Sequence, residues 1–285
     1  TINEKLEQTL AQYRSWKTDR PLESEPILIR RFEEGISNFS FLVGEENKFV
    51  LRIDGVNPNT LGINRYSEWI LLHRVASASL APTPRYFNPD LGTLVVDYLL
   101  PEKTSTLNLL NVAKFLKDLH ALPTVKFRLN ICDRIRRYEQ QLHKNDVNIE
   151  EIMKPFSKEI KRFIYLAKTD KTPFVLCHND LTKHNRIFSN SKLWGIDWEY
   201  ASTGNPWFDI AVACLSEELS NDQIRIFLNS YLEGTVELDF AMHQVSVYQV
   251  IYQYIEILWY AITEKYSPDD LHLAKLEKAL SLFNL

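Results

Sequence analysis

Near residue 98 the grain of the chain changes, and that change limits the fold more than any other feature. Before it, short apolar runs at Ile27–Phe32, Phe39–Val43, Phe49–Ile53, Arg85–Phe87 and Thr93–Tyr98 are punctuated by Gly35, Gly44, the Gly55…Pro58 segment and a Pro/Asn/Asp/Gly turn. Runs rich in Ile, Val, Leu and Phe and bounded by turn formers predict β-strands. A short amphipathic helix is predicted near Asn3–Trp16. A second falls over Arg65–Ser77, where Tyr66, Trp69, Ile70, His73 and Ala76 recur at helical spacing. From Leu99 onward the pattern is helical. Leu109, Val112, Ala113, Leu116 and Leu119 share a face of Leu107–Ala121, with Ser105 or Thr106 available as N-cap and Pro123 beyond the end. Further helices are predicted over Ile131–His143, Glu150–Ala167, Pro206–Leu215, Asp222–Leu232, Gln244–Glu264 and Pro268–Leu282. The two short apolar runs flanking the His178–Asn185 segment are the exception and predict a small hairpin. An α+β chain follows, with a sheet-rich part over residues 1–98 and a helical part over 99–285.

The densest chemical signal lies in Val175–Phe188 and in Gly195-Ile196-Asp197-Trp198-Glu199-Tyr200. Asp180 is followed five residues later by Asn185, and Asp197 comes twelve beyond that, each beside a strand-like run. Such a set suits phosphoryl transfer, with one carboxylate for an acceptor hydroxyl and an amide plus a second carboxylate for a metal. Oxygen donors of this kind fit Mg²⁺. A lone loop Asp more often caps a turn; the company of His178, Asn185 and Asp197 favours the chemical reading. His178 and His184 lack the i, i+4 spacing of helical zinc motifs, so His178 is expected to brace the loop and His184 to be exposed or to face substrate.

Composition narrows the partners. The net charge of −4 argues against nucleic acid. Three scattered cysteines, Cys132, Cys177 and Cys214, form no CxxC pair, which predicts a reducing compartment with neither disulfides nor a zinc site. A charged N-terminus unlike a signal peptide, and no run of about 18 apolar residues, make no membrane span and a cytoplasmic location the expectation.

His178-x-Asp180-x4-Asn185, with Ile196-Asp197-Trp198-Glu199, resembles the choline/ethanolamine kinase and aminoglycoside phosphotransferase superfamily. It looks most like bacterial choline kinases of the lipopolysaccharide-modifying type and bacterial thiamine kinases. The resemblance runs along most of the chain. It implies a two-lobed protein-kinase-like fold: a small antiparallel-sheet N-terminal lobe binding nucleotide and a mainly helical C-terminal lobe binding substrate. It further implies ATP as co-substrate and Mg²⁺. Asp180 would be the catalytic carboxylate, helped by His178 and Asn185, and Asn185 with Asp197 would hold the metal. Gly35-Ile36-Ser37-Asn38 resembles the phosphate loop, and Arg52 the phosphate-contacting cation. Glu68 resembles that cation's helix partner. Asp97 and Leu99 fall in the hinge-like stretch, and Asp209 resembles the residue that props the catalytic loop. The loop has one glycine where relatives commonly have two, Arg52 stands where protein kinases use Lys, and His184 where Gly is usual. Arginine still grips phosphate through its planar fork.

For the acceptor, the helical part holds many aromatics among carboxylates, a set that suits a quaternary ammonium. Glu199, Trp198, Trp207, Glu256 and Trp259 are the candidates, with Glu199 either touching a cationic substrate or stabilising its turn. Choline, ethanolamine and thiamine all fit. An aminoglycoside or sugar acceptor, or a nucleotide-binding pseudokinase, is the alternative. The stripe Tyr248, Ile251, Tyr252, Ile255, Leu258, Trp259, Ile262 has the spacing of a helix packed into a core, which leaves Glu256 and Tyr260 off its centre.

Overall fold

The computed structural model describes residues 1–33, 38–102, 109–145, 147–234, 236–263 and 270–281. The chain forms two compact units, Thr1–Thr104 with Ile187–Glu199, and Ser105–Arg186 with Tyr200–Leu285.

In the first unit, α1 (Ile2–Ala11) opens on a capping box in which Thr1 and Glu4 satisfy each other's backbone N–H. The helix ends at Ala11, and Tyr13–Ser15 is a separate 3₁₀ turn. Strands β1 (Leu28–Arg31), β2 (Asn38–Gly44) and β3 (Lys48–Asp54) follow, then α2 (Pro58–Leu61), α3 (Arg65–Ser77), β4 (Pro84–Asn88) and β5 (Thr93–Asp97). The five strands make one antiparallel sheet in the order β1-β2-β3-β5-β4. Gly44 turns β2 into β3 at φ 124, and a Cβ there would meet the Asn47 carbonyl oxygen. Alternation on β3 sends Phe49, Leu51 and Ile53 into a core with Leu6, Leu10, Trp16, Phe41, Val43 and Val95. It sends Val50, Arg52 and Asp54 to the other face.

The buried stripe of α3 is Glu68, Leu71, Leu72 and Val75. The residues whose spacing marked the helix lie largely outward: Tyr66 and Ile70 are exposed. Phe87 accounts for part of that apolar surface, since Tyr66 meets it edge-on and Trp69 stacks on it.

In the second unit lie α4 (Leu109–His120), α5 (Ile131–Lys144), α6 (Ile149–Met153) and α7 (Ser157–Thr169). The α4 face carries Val112, Ala113, Leu116 and Leu119 inward as its spacing requires. Its proposed N-cap residues lie outside the described residues. The single helix expected over 150–167 is two, because Pro155 interrupts the backbone ladder and leaves a 3₁₀ turn at Lys154–Phe156.

The expected hairpin is also re-partnered. Strand β6 (Val175–Cys177) does not pair with the apolar run that follows it. That run is β7 (Arg186–Ser189), which turns into β8 (Lys192–Gly195), while β6 pairs with β9 (Ser202–Gly204). Asn190 and Ser191, both at positive φ (52 and 60), make the two-residue turn that a tight hairpin favours. Helices α8 (Pro206–Ser216), α9 (Asn221–Leu232), α10 (Leu238–Ile262) and α11 (Asp270–Ser281) complete the chain. Helix α10 begins six residues before the sequence expectation and buries Tyr248, Ile251, Ile255, Leu258 and Ile262. Among the described residues, no helix is long and apolar enough to cross a membrane.

Candidate active site

The first unit assembles a network of cations and carboxylates. Arg52, on the α3-facing side of β3, donates to both oxygens of Glu68 at 2.6 and 2.7 Å and to Asp197 Oδ1 at 3.1 Å. The sequence puts Glu68 there by giving it the first position of the buried α3 stripe, one turn after the N-cap Asn64. Burial pulls the Arg52 guanidinium down, but Glu68, Asp197 and Glu199 outweigh it and the net shift is upward. Burial likewise pushes Glu68 up, and Arg52 and Arg65 outweigh it, so the carboxyl falls below its ordinary value. The pair is ionised at neutral pH. Asp197 follows β8 in the left-handed region, φ 58, a conformation non-glycine residues adopt only when their surroundings impose it. The indole of Trp198 closes the turn by donating to Gly195 O at 2.9 Å.

The second unit assembles the loop after β6. Asp209, fully buried near the start of α8, accepts from the backbone N–H of His178 at 2.7 Å and of Asn179 at 2.6 Å. Its Oδ2 lies 3.2 Å from His120 Nε2, whose Nδ1 meets Tyr231 Oη at 2.7 Å. Asn179, at φ 62, donates its amide to Tyr200 O and Ser202 Oγ. This anchored turn delivers Asp180. Asn185 donates to the Asp180 backbone oxygen at 2.9 Å and to Oδ2 at 2.8 Å. Tyr252 Oη on α10 stands 3.4 Å from Oδ1. With both amide hydrogens of Asn185 turned to Asp180, its oxygen is the atom left to ligate a metal. Arg134 is buried with its guanidinium 4.1 Å over the Tyr200 ring. His120, Cys177 and Asp209 also cluster. Backbone N–H groups hold the Asp209 oxygens and burial, then Asp209, pushes the Cys177 thiol up, so that cluster suits loop support rather than a metal.

The structure thus brings Arg52, Glu68 and Asp197 together in one unit, and His178, Asp180 and Asn185 in the other. Gly35 and Ser37 lie outside the described residues. Asn38 donates to Glu199 Oε2 at 2.9 Å. Asp97 takes a two-pronged ion pair from Arg85, at 2.6 and 2.8 Å, and Leu99 is half-buried after β5. Among the acceptor candidates, Glu199 is paired with Arg65 at 2.9 Å and Trp198 is buried. Trp207 is buried too, with its indole N–H on Thr172 Oγ1. It lines a cavity of about 560 Å³ with Phe240 and His243, whose walls include neither Asp180 nor Tyr252. Glu256 and Trp259 fall on the half-buried side of α10, as do Tyr252 and Tyr260. His184 is exposed and His178 fully buried. Sequence reasoning did not single out Arg65, Asn179, Arg134 or Tyr252 for the site. Arg65 was findable, three residues before Glu68 at the start of a helix; Asn179 carried no signal beyond its neighbours.

A cation held by a helix carboxylate beneath a five-stranded sheet, and an Asp–Asn pair on a loop propped by a buried carboxylate, are the parts of a small-molecule kinase with a protein-kinase-like fold. The chain belongs to the phosphotransferase enzyme family (APH), matched over residues 28–246. It is 27% identical over 252 residues to the Protein LicA homolog of Metamycoplasma hominis, covering 86% of this chain and 93% of that one. It is 26% identical over 229 residues to an Escherichia coli thiamine kinase, covering 76% and 78%. The fold matches the crystal structure of choline kinase LicA from Streptococcus pneumoniae with a TM-score of 0.73 at 18% identity, over 98% of each chain.

Proposed function

We propose that this kinase transfers the γ-phosphoryl group of ATP to the hydroxyl of a small cationic alcohol, choline or ethanolamine in the first place and thiamine in the second. The observation that carries the acceptor reading is the half-buried side of α10. Tyr252 reaches Asp180 from it, and Glu256, Trp259 and Tyr260 follow on the same side within the next eight residues. A carboxylate among aromatic rings beside the catalytic carboxylate suits a cation whose hydroxyl must reach Asp180. Asp180 accepts the hydroxyl proton as the oxygen attacks the γ-phosphorus; the bond to the β-phosphate oxygen breaks and ADP leaves. Asn185 holds Asp180 in place and His178 steadies the loop. Residues 1–98, through Asn38, Arg52, Glu68, Asp97 and Leu99, bind the nucleotide, and residues 99–285 carry the catalytic and acceptor groups.

Asn185 and Asp197 are the proposed magnesium ligands. The fit rests on their chemistry: one amide oxygen and one carboxylate, with the Asp197 side chain 34% exposed, suit a hard ion that keeps waters and substrate phosphate in its shell. When bound, Mg²⁺ neutralises charge on the transferring phosphates.

ADP release measured over choline, ethanolamine, thiamine and kanamycin tests the reading. Turnover is expected with a cationic alcohol. Asp180→Asn should lose roughly 10²–10⁴-fold in kcat with nucleotide binding intact. No ADP above background with any acceptor would overturn catalysis, and selective turnover of kanamycin would overturn the acceptor assignment.

A further inference from the structure

Arg65 occupies the first turn of α3, and its guanidinium joins four elements of one unit. It contacts Asp54 Oδ1 on β3 at 2.7 Å and Glu68 Oε2 on its own helix at 2.8 Å. It contacts Glu199 Oε2, just past the Asp197 turn, at 2.9 Å and Asn38 Oδ1 on β2 at 3.1 Å. The sheet register explains the first and last of these: Asn38 and Asp54 are direct cross-strand partners, so one guanidinium spans both. Asn38 then donates its own amide to the same Glu199 oxygen at 2.9 Å. Two donors therefore hold Glu199, whose side chain is 3% exposed.

Glu199 lies two residues beyond Asp197, and Asp197 is the strained residue of the turn, at φ 58. A left-handed aspartate keeps its conformation only when what flanks it is fixed. On the near side, Gly195 N–H donates to Leu80 O and the Trp198 indole returns to Gly195 O. On the far side Tyr200 O is held by the Asn179 amide, and Glu199 supplies the tie to α3 and β2. Without Glu199 the stretch after Trp198 loses that tie, and Asp197 can relax toward ordinary backbone angles.

We propose that Arg65 is a positioning residue for the metal: by clamping Glu199 it holds the Asp197 turn in the geometry that ligates Mg²⁺. The assignment rests on the kinase reading above and gives Glu199 a structural task, distinct from contact with the acceptor. Preorganisation of this kind appears as affinity, because a ligand held in place before binding loses less freedom on binding. Arg52 also holds Asp197, but directly, and in so doing competes with the metal for the carboxylate. Arg65 acts through the backbone and does not compete.

The test is Mn²⁺ binding to the full chain with a non-hydrolysable ATP analogue, followed by electron paramagnetic resonance, on variants whose thermal midpoints are measured alongside. Glu199→Gln keeps shape and removes the charge; it should weaken Mn²⁺ about tenfold. Arg65→Met should do the same, and the double variant should be no worse than either single, since both break one clamp. Arg65→Lys should recover part of the loss. Should Arg65→Met fail to fold, Glu199→Gln alone decides. Metal affinity within twofold of wild type in folded Glu199→Gln, or additive losses in the double variant, would overturn the clamp. Absence of Mn²⁺ binding by the wild type would instead overturn the kinase reading, and the clamp with it.

Discussion

Replacing Glu68 by Gln probes the centre of the Arg52–Arg65 carboxylate network without changing its shape. Glu68 is nearly inaccessible, at 2%, and receives three guanidinium contacts: 2.6 and 2.7 Å from Arg52 and 2.8 Å from Arg65. Glutamine keeps one oxygen to accept and turns an amide donor toward the remaining N–H groups. At least one charge-assisted bond is lost, worth about 1.5–3 kcal/mol, and a buried guanidinium donor then faces another donor. Arg52 retains Asp197, and Arg65 retains Asp54 and Glu199, so the loss stays below the ~5 kcal/mol upper figure for a wholly broken buried pair. The expectation is a destabilisation of about 2–4 kcal/mol at neutral pH. Urea unfolding followed by far-UV circular dichroism reads it as a lower midpoint at unchanged slope.

The pH dependence gives a second check. The folded-state pKa of Glu68 lies below the ordinary carboxylate value. Its contribution is therefore complete above the unfolded value and is lost as pH falls through the folded one. The gap between wild type and variant should hold constant through neutral pH and close only in acid below the usual carboxylate range. A variant within about 0.5 kcal/mol of wild type at neutral pH would refute the argument, because that is the scatter of a surface substitution.

Further outcomes follow from α10. Burial, opposed by His272 and Lys275, holds the Glu256 carboxyl above its ordinary value. On the proposed acceptor reading a cation binds the ionised form, so choline affinity should fall as pH drops through that raised window. Calorimetric titrations should find Glu256→Gln about tenfold weaker at neutral pH, the ~1.4 kcal/mol of a partly screened charge, with a flatter pH profile. Tyr252→Phe removes a hydroxyl at 3.4 Å from Asp180 and should lower kcat about threefold to tenfold, in line with ~0.5–1.5 kcal/mol for one weak bond. A larger loss would make Tyr252 more than a supporting contact.

Much of the architecture was legible because local chemistry and tertiary need agree. Turn glycines, alternating strands and the α4 stripe each specify their element without help from distant residues. The misreadings arose where they disagree. On α3 the spacing located the helix but not its inward face, whose stripe starts with a carboxylate with partners, Arg52 and Arg65, from the adjoining sheet and its own first turn. Strand β6 was matched to its neighbour in sequence because nothing local reveals that Asn190-Ser191 closes the other pairing. Spacing singled out Asp180 and Asn185, which the structure joins by a hydrogen bond, and Asp197, which it places beside Arg52. The support beneath Asp180 was less legible: two backbone N–H groups converging on Asp209, and Tyr252 arriving from a stripe that otherwise reads as core, are tertiary facts with no periodic trace.

The sheet-bearing unit is discontinuous: it needs residues 187–199 as well as 1–104. On the ribosome, its first hundred residues emerge while two of its counter-ions, Asp197 and Glu199, are still unsynthesised. Arg52 and Arg65 must wait for them with only Glu68 and Asp54 at hand, and Leu80 waits for the Gly195 amide. Maturation of this unit is therefore late in translation, and a fragment cut at residue 104 lacks the strands and charges that finish it.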